Sequence, residues 1–225
     1  MIPLKDTTKP ERFPLINWML IAANTGVFVM ELLLDPAETQ AFFTQYALIP
    51  AQTDLLGNNT LSFVTNTFLH GGWGHFLSNM WFLYIFGDNV EGRMGHFRYL
   101  IFYLLCGILA SVTHYALYSD SAIPALGASG AISGVMAAYM FMFPGSTIIS
   151  IVPVFFLPLF LPIPAVIYIG LWFVGQFLSG SADLLNRTVD GPGIAFWAHI
   201  GGFLGGLLIY RFFASKKYKR KRSYG

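Results

Sequence analysis

Leu126-Gly127-Ala128-Ser129-Gly130-Ala131-Ile132-Ser133-Gly134 sets a hydroxyl among small residues at the head of a long apolar run. Ser129 and Ser133, like Gly130 and Gly134, are four apart, the small-xxx-small spacing that lets membrane helices pack with their backbones close together. The same stretch has a chemical reading. A serine hydroxyl becomes a nucleophile when a base takes its proton, and flanking glycines let backbone N–H groups approach a developing oxyanion. Packing and chemistry both fit the stretch, so the rest of the chain has to choose between them.

Composition makes a membrane the setting. The 225 residues are 55% hydrophobic and 11% charged, with a mean hydropathy of +0.59, too apolar and too charge-poor for an ordinary soluble domain. The first apolar run, Phe13 to Leu34, is longer than a signal-peptide core, lacks a small-x-small cleavage pattern, and reads as a retained span. Cys106 stands alone inside an apolar run, which leaves no disulfide framework and no thiolate metal site.

Of the 13 Lys and Arg, Lys5, Lys9 and Arg12 precede the first span, Arg93 and Arg98 follow the second, and seven lie between Arg211 and Arg222; only Arg187 is left over. With six spans and a cytoplasmic N-terminus, the other twelve all fall inside, as the positive-inside rule requires. The tail from Lys216 to Arg222 directly follows a hydrophobic helix, so its partner is read as anionic lipid rather than nucleic acid.

The expected architecture is therefore an all-α polytopic membrane protein. Residues 1–12 form a cytoplasmic N-terminal segment, residues 13–213 a six-span bundle, and residues 214–225 a basic cytoplasmic tail. The spans are read at 13–34, 74–86 with an extension towards 90, 97–118, 127–143, 163–180 and 194–213. The segment 35–73 is outside and aromatic, suited to short pieces lying in the interface. Asp88 to Gly95 reads as a tight polar turn on the inside. Prolines 153, 158, 162 and 164 rule out an uninterrupted helix over 147–164, which reads as an interfacial connector that lets span five move.

Polar residues buried in spans are costly and are functional candidates by default. His75 and Asn79 are four apart at the head of span two, Ser129 heads span four, and His199 lies early in span six. All three spans begin on the outer side in the topology chosen by the charges, so these residues sit at similar depth. His199 falls on the order of 8 Å below the outer surface at 1.5 Å per residue. Gly202 and Gly206, facing Gly130 and Gly134, allow the close approach that a Ser–His hydrogen bond needs. The chemistry that fits is acyl transfer, with Ser129 attacking a carbonyl and His199 shuttling the proton, while His75, Asn79 and the Ser129 N–H are available as oxyanion donors. A metal reading lacks a third ligand unless His70 joins. No cofactor is expected.

These residues resemble the rhomboid family of intramembrane serine proteases. The resemblance rests on His70-Gly71-Gly72-Trp73-Gly74-His75 with Asn79, on Glu91-Gly92-Arg93-Met94-Gly95, on Gly127-Ala128-Ser129-Gly130, and on Ala198-His199-Ile200-Gly201-Gly202, in the family's order. It implies a six-span fold that cuts transmembrane protein substrates near the outer face, with Ser129 as nucleophile, His199 as base, His75 and Asn79 as oxyanion donors, and Glu91 and Arg93 as structural anchors. Two departures stand out. Ser133 occupies the place of an aromatic that packs on the histidine in the family, with Trp172 or Tyr168 as substitutes, and Leu61-Ser62 stands near the place of a Trp-Arg pair in the first outer loop.

The rival readings are a catalytically inactive relative that binds membrane clients, and a small transporter. His70 reads as a structural loop histidine, and Asn17, Asn24 and Gln176 as hydrogen-bond bridges between helices. Short tails suggest a prokaryotic plasma membrane. Oligomeric state is left open, because the glycine faces are used within the fold.

Overall fold

The computed structural model of the chain describes residues 1–154, 157–186 and 195–215. A strand, β1 (Ile2–Asp6), precedes the first long helix, α1 (Leu15–Leu33). Two short helices follow, α2 (Pro36–Tyr46) and α3 (Ser62–Thr65), and then α4 (Trp73–Met94), α5 (His96–Leu117) and α6 (Ser129–Met142). A hairpin of β2 (Thr147–Val154) and β3 (Leu157–Pro164) leads into α7 (Ala165–Asn186), and α8 (Phe196–Phe213) closes the described fold. Of these helices, α1, α5, α7 and α8 are long and apolar enough to cross a membrane.

Helix α6 is the shortest of the apolar set. Its 14 residues rise about 21 Å, well under the ~30 Å of a hydrocarbon core. It tolerates that length because α4, α5 and α8 pack around it, and every residue from Gly130 to Tyr139 is buried. The contact with α8 is backbone on backbone. A Cβ on Gly202 would strike the Gly130 carbonyl, and one on Gly206 would lie 2.5 Å from Gly134 Cα. The glycine pairs read from the sequence thus do meet.

The expected polar turn over Asp88 to Gly95 is instead helical through Met94, and the chain turns only at Gly95, whose φ of +86° suits a residue without Cβ. Helix persists because its polar side chains find partners. The fully buried Glu91 carboxylate accepts from the backbone N–H groups of Ile16 at 3.0 Å and Asn17 at 2.7 Å, neutralising orphan donors at the start of α1, where no capping side chain stands. His96 Nδ1 contacts the same carboxylate. Asn17 bridges helices, donating to Leu83 O at 3.0 Å and accepting from Tyr99 at 2.7 Å, and Asn24 donates to Leu20 O at 2.8 Å.

Glu11 pairs with Arg93 at 3.1 Å, and Ser215 N donates to Arg93 O at 3.1 Å. The N-terminal segment, the α4–α5 turn and the end of α8 are therefore gathered at one end of the bundle, as their shared basic character suggested.

The all-α expectation is corrected by a three-stranded antiparallel sheet of order β1-β2-β3. The prolines do exclude helix, but Pro158, Pro162 and Pro164 lie on β3, an edge strand where proline is tolerated, and Pro153 lies on β2 beyond its last pairing with β1, at Ile151. Tyr139 and Asn89, the latter at 2.9 Å, donate to Asp6 and fasten β1 to the bundle. Burial raises the Asp6 carboxyl above its ordinary value. Helix α7 runs to Asn186, so the loop expected from Ser181 begins later; the remainder of that loop, with Arg187, and the basic tail from Lys216 lie outside the described residues.

Gly202→Ala forces α6 and α8 apart, and the expected loss is about 1–3 kcal/mol, read as a lowered midpoint of thermal unfolding in detergent. An unchanged midpoint would show that the two backbones are not in contact.

Candidate active site

Three helix beginnings meet at the end of the bundle opposite the sheet. Ser129 is the first residue of α6, so its backbone N–H has no partner within the helix, and no acidic side chain occupies the first turn to offset the positive end of the helix dipole. The approach to it is fixed by the loops. Leu48 and Ala125 exchange backbone hydrogen bonds of 3.0 and 2.8 Å, and Gly127 N donates to Asn66 O at 2.8 Å. The Asn66 amide in turn donates to Ser111 Oγ on α5 at 2.9 Å. This loop anchor at Asn66 has no signature in the sequence.

His199 lies in the first turn of α8, 8% exposed, with its Nε2 2.7 Å from Ser129 Oγ. Its other nitrogen, Nδ1, is 2.6 Å from Gln176 Oε1 on α7. One turn earlier on α7, the Trp172 ring stands beside the imidazole, with centroids 5.9 Å apart and planes inclined by 35°. Of the two aromatics considered as substitutes for the one missing at Ser133, Trp172 is the residue in contact; Tyr168 packs on Phe86. Ser133 itself donates to Ser129 O at 2.6 Å, an ordinary back-bond to the preceding turn.

His75 and Asn79 line the same cavity as Ser129 and His199, a space of about 750 Å³ walled by α4, α6, α7 and α8. Asn79 Nδ2 is buried with no hydrogen-bond partner among the described residues, an unspent donor of the kind that costs stability unless a ligand uses it. Gly127 makes the space: its φ is +121°, and a Cβ there would lie 2.5 Å from the His75 ring. His70 is buried beside His75, with ring centroids 5.3 Å apart, and gives its backbone N–H to Glu31 at 2.9 Å. Burial holds the His70 imidazole down at about 4, so it is neutral at physiological pH.

A hydroxyl against an imidazole, a free helix N-terminus and an unpartnered amide around one cavity form a constellation for acyl transfer. A family model described as Rhomboid domain matches residues 57–216. The chain belongs to the rhomboid family. RHOMBOID-like protein 12, mitochondrial, of Arabidopsis thaliana is 29% identical over 201 residues, 81% of this chain and 54% of that protein. Rhomboid-like protein 11, chloroplastic, of the same plant is 32% identical over 133 residues, 59% of this chain and 44% of that one. Rhomboid protein 1, mitochondrial, of Saccharomyces cerevisiae is 26% identical over 209 residues, 91% of this chain and 55% of that one.

The rhomboid chain thus spans about half the length of these curated relatives. They overturn the expectation of a prokaryotic plasma membrane, since they are proteins of mitochondria and of a chloroplast. Short tails measure how much chain leaves a bundle and carry nothing about which bilayer holds it.

Gly127→Ala strains the backbone before Ser129 and crowds His75. The expected cost is about 1–3 kcal/mol, together with labelling of Ser129 by a fluorophosphonate at least tenfold slower than in the unmodified chain. Equal labelling rates would show that the His75 side of the cavity does not shape the reactivity of Ser129.

Proposed function

We propose that this rhomboid protein is an intramembrane serine endopeptidase that cuts transmembrane protein substrates with a Ser129–His199 dyad. The observation that carries the reading is the 2.7 Å contact between Ser129 Oγ and His199 Nε2, inside a cavity open to the helix N-terminus. Ser129 Oγ attacks the scissile carbonyl carbon as its proton passes to His199 Nε2. The resulting oxyanion takes hydrogen bonds from the Ser129 N–H, Asn79 Nδ2 and His75. His199 then gives its proton to the departing amine nitrogen, leaving an ester on Ser129. A water entering the cavity loses a proton to His199, attacks the ester carbon, and frees the acid while Ser129 recovers its hydrogen.

A helical substrate hides its carbonyls in internal hydrogen bonds, so cutting is directed to small or helix-breaking residues, where unwinding costs least. Entry is assigned to the side of α7, which has the smallest buried share of the four long apolar helices, 22%. The inactive, client-binding reading draws on Ser133, and the contact of Trp172 with His199, which supplies an aromatic from another helix, supports the active reading.

The expected readout is cleavage of a single-span reporter in liposomes by the full chain. Ser129→Ala or His199→Ala abolishes it, and Asn79→Ala lowers kcat by about 10²–10³. Undiminished cutting by Ser129→Ala overturns the assignment.

The same proposal takes α4 and α6 as further spans, six in all, with both basic ends on the cytoplasmic or matrix-like side and the cavity facing the other. Its membrane is read as that of a mitochondrion or chloroplast, in keeping with the relatives so named, and co-fractionation of a tagged chain with such membranes tests this. Cys106 is buried, so an introduced cysteine can be read cleanly. In sealed, uniformly oriented vesicles an impermeant maleimide labels Lys9→Cys and Asn58→Cys from opposite faces; labelling of both from one face refutes the span count.

A further inference from the structure

We propose that Gln176 is a positioning residue for His199, making the site a Ser–His–Gln relay in which a neutral amide takes the place usually given to a carboxylate. This rests on the dyad reading above and extends it.

The geometry is specific. Gln176 Oε1 lies 2.6 Å from His199 Nδ1, while Ser129 Oγ lies 2.7 Å from Nε2. An amide oxygen only accepts, so the imidazole must carry its hydrogen on Nδ1 and present the Nε2 lone pair to the serine. That is the tautomer a general base requires. When Nε2 takes the serine proton, both ring nitrogens donate, and the amide dipole faces the imidazolium. No proton moves to Gln176; it enters and leaves each cycle unchanged.

The choice of an amide has a physical basis. His199 is 8% exposed. An unpaired carboxylate there costs several kcal/mol to desolvate, whereas an amide asks for far less and still sets the tautomer. Gln176 is one turn beyond Trp172, so a single face of α7 supplies both the ring contact and the hydrogen bond that fix the imidazole. Neither residue belongs to the helices that carry Ser129 or His199.

The test uses the full chain in liposomes, with Gln176→Leu and Gln176→Glu compared at equal folded amounts. Leu keeps the bulk and removes the acceptor; kcat is expected to fall about 10- to 100-fold with KM within twofold, below the roughly 10⁴-fold cost of losing the tautomer set by a buried carboxylate. Glu restores the acceptor and regains most of the rate. Its charge stabilises the imidazolium, so the acid limb of the kcat profile moves to higher pH.

A residue that only fills space gives the reverse order, Leu tolerated and Glu defective, with no movement of the limb. A second readout does not depend on turnover: in ¹⁵N-histidine-labelled protein the His199 signal is that of the Nδ1–H form in the native chain and shifts towards the Nε2–H form in Gln176→Leu. Native kcat, pH profile and tautomer in Gln176→Leu overturn this inference while leaving the dyad intact. Cutting that survives Ser129→Ala overturns the dyad and says nothing against the tautomer result.

Discussion

The contact between the backbones of α6 and α8 is the constraint on which the site depends. Ser129 and His199 each sit within one turn of a glycine at that crossing, Gly130 on one helix and Gly202 on the other, and the second pair, Gly134 and Gly206, keeps the axes together a turn deeper. A hydrogen bond of 2.7 Å between side chains as short as serine and histidine leaves no slack. Any larger residue at the crossing moves the two groups apart by more than the bond can absorb. Sequence spacing and candidate chemistry are here the same fact, because the residues that permit close packing are those that set the reacting distance.

A second condition concerns length. Helix α6, at 14 residues, is shorter than a hydrocarbon core is thick, and α4, α5 and α8 pack around it. Its N-terminus, at the half-buried Ser129, opens on the cavity shared with His75, Asn79 and His199, so the positive end of the helix dipole faces that space. Outside that core the loops do the aligning, through the Leu48–Ala125 bridge and the bond from Gly127 to Asn66.

Much of this was legible from residue spacing. Apolar runs located each long helix to within a few residues at most ends, and glycines four apart identified the crossing. His75 and Asn79, also four apart, lie on the same cavity as Ser129. The sheet was not legible. Residues 147–164 show no alternation of apolar and polar positions, because β3 is exposed along nearly its whole length and carries apolar side chains throughout, and β1 is five residues long. The polar cluster at Asp88 to Glu91 read as a turn because its partners, Asp6 and the start of α1, are more than 70 positions away. Gln176 was recognisable as a bridging residue, but its partner is not encoded in local spacing; only the structure joins it to His199. The identity of the membrane lay beyond charge and tail length altogether.

The sheet also has a bearing on the order in which the molecule comes together. β1 leaves the ribosome well before its partner β2, because helices α1 to α6 lie between them in the chain, with register pairs such as Ile2 and Ile151. During synthesis the N-terminal strand has to wait, unpaired, until the hairpin emerges. Once joined, it turns β2 from a border into an interior strand, so β1 acts as a clasp fastened only after helices α1 to α6 have been made.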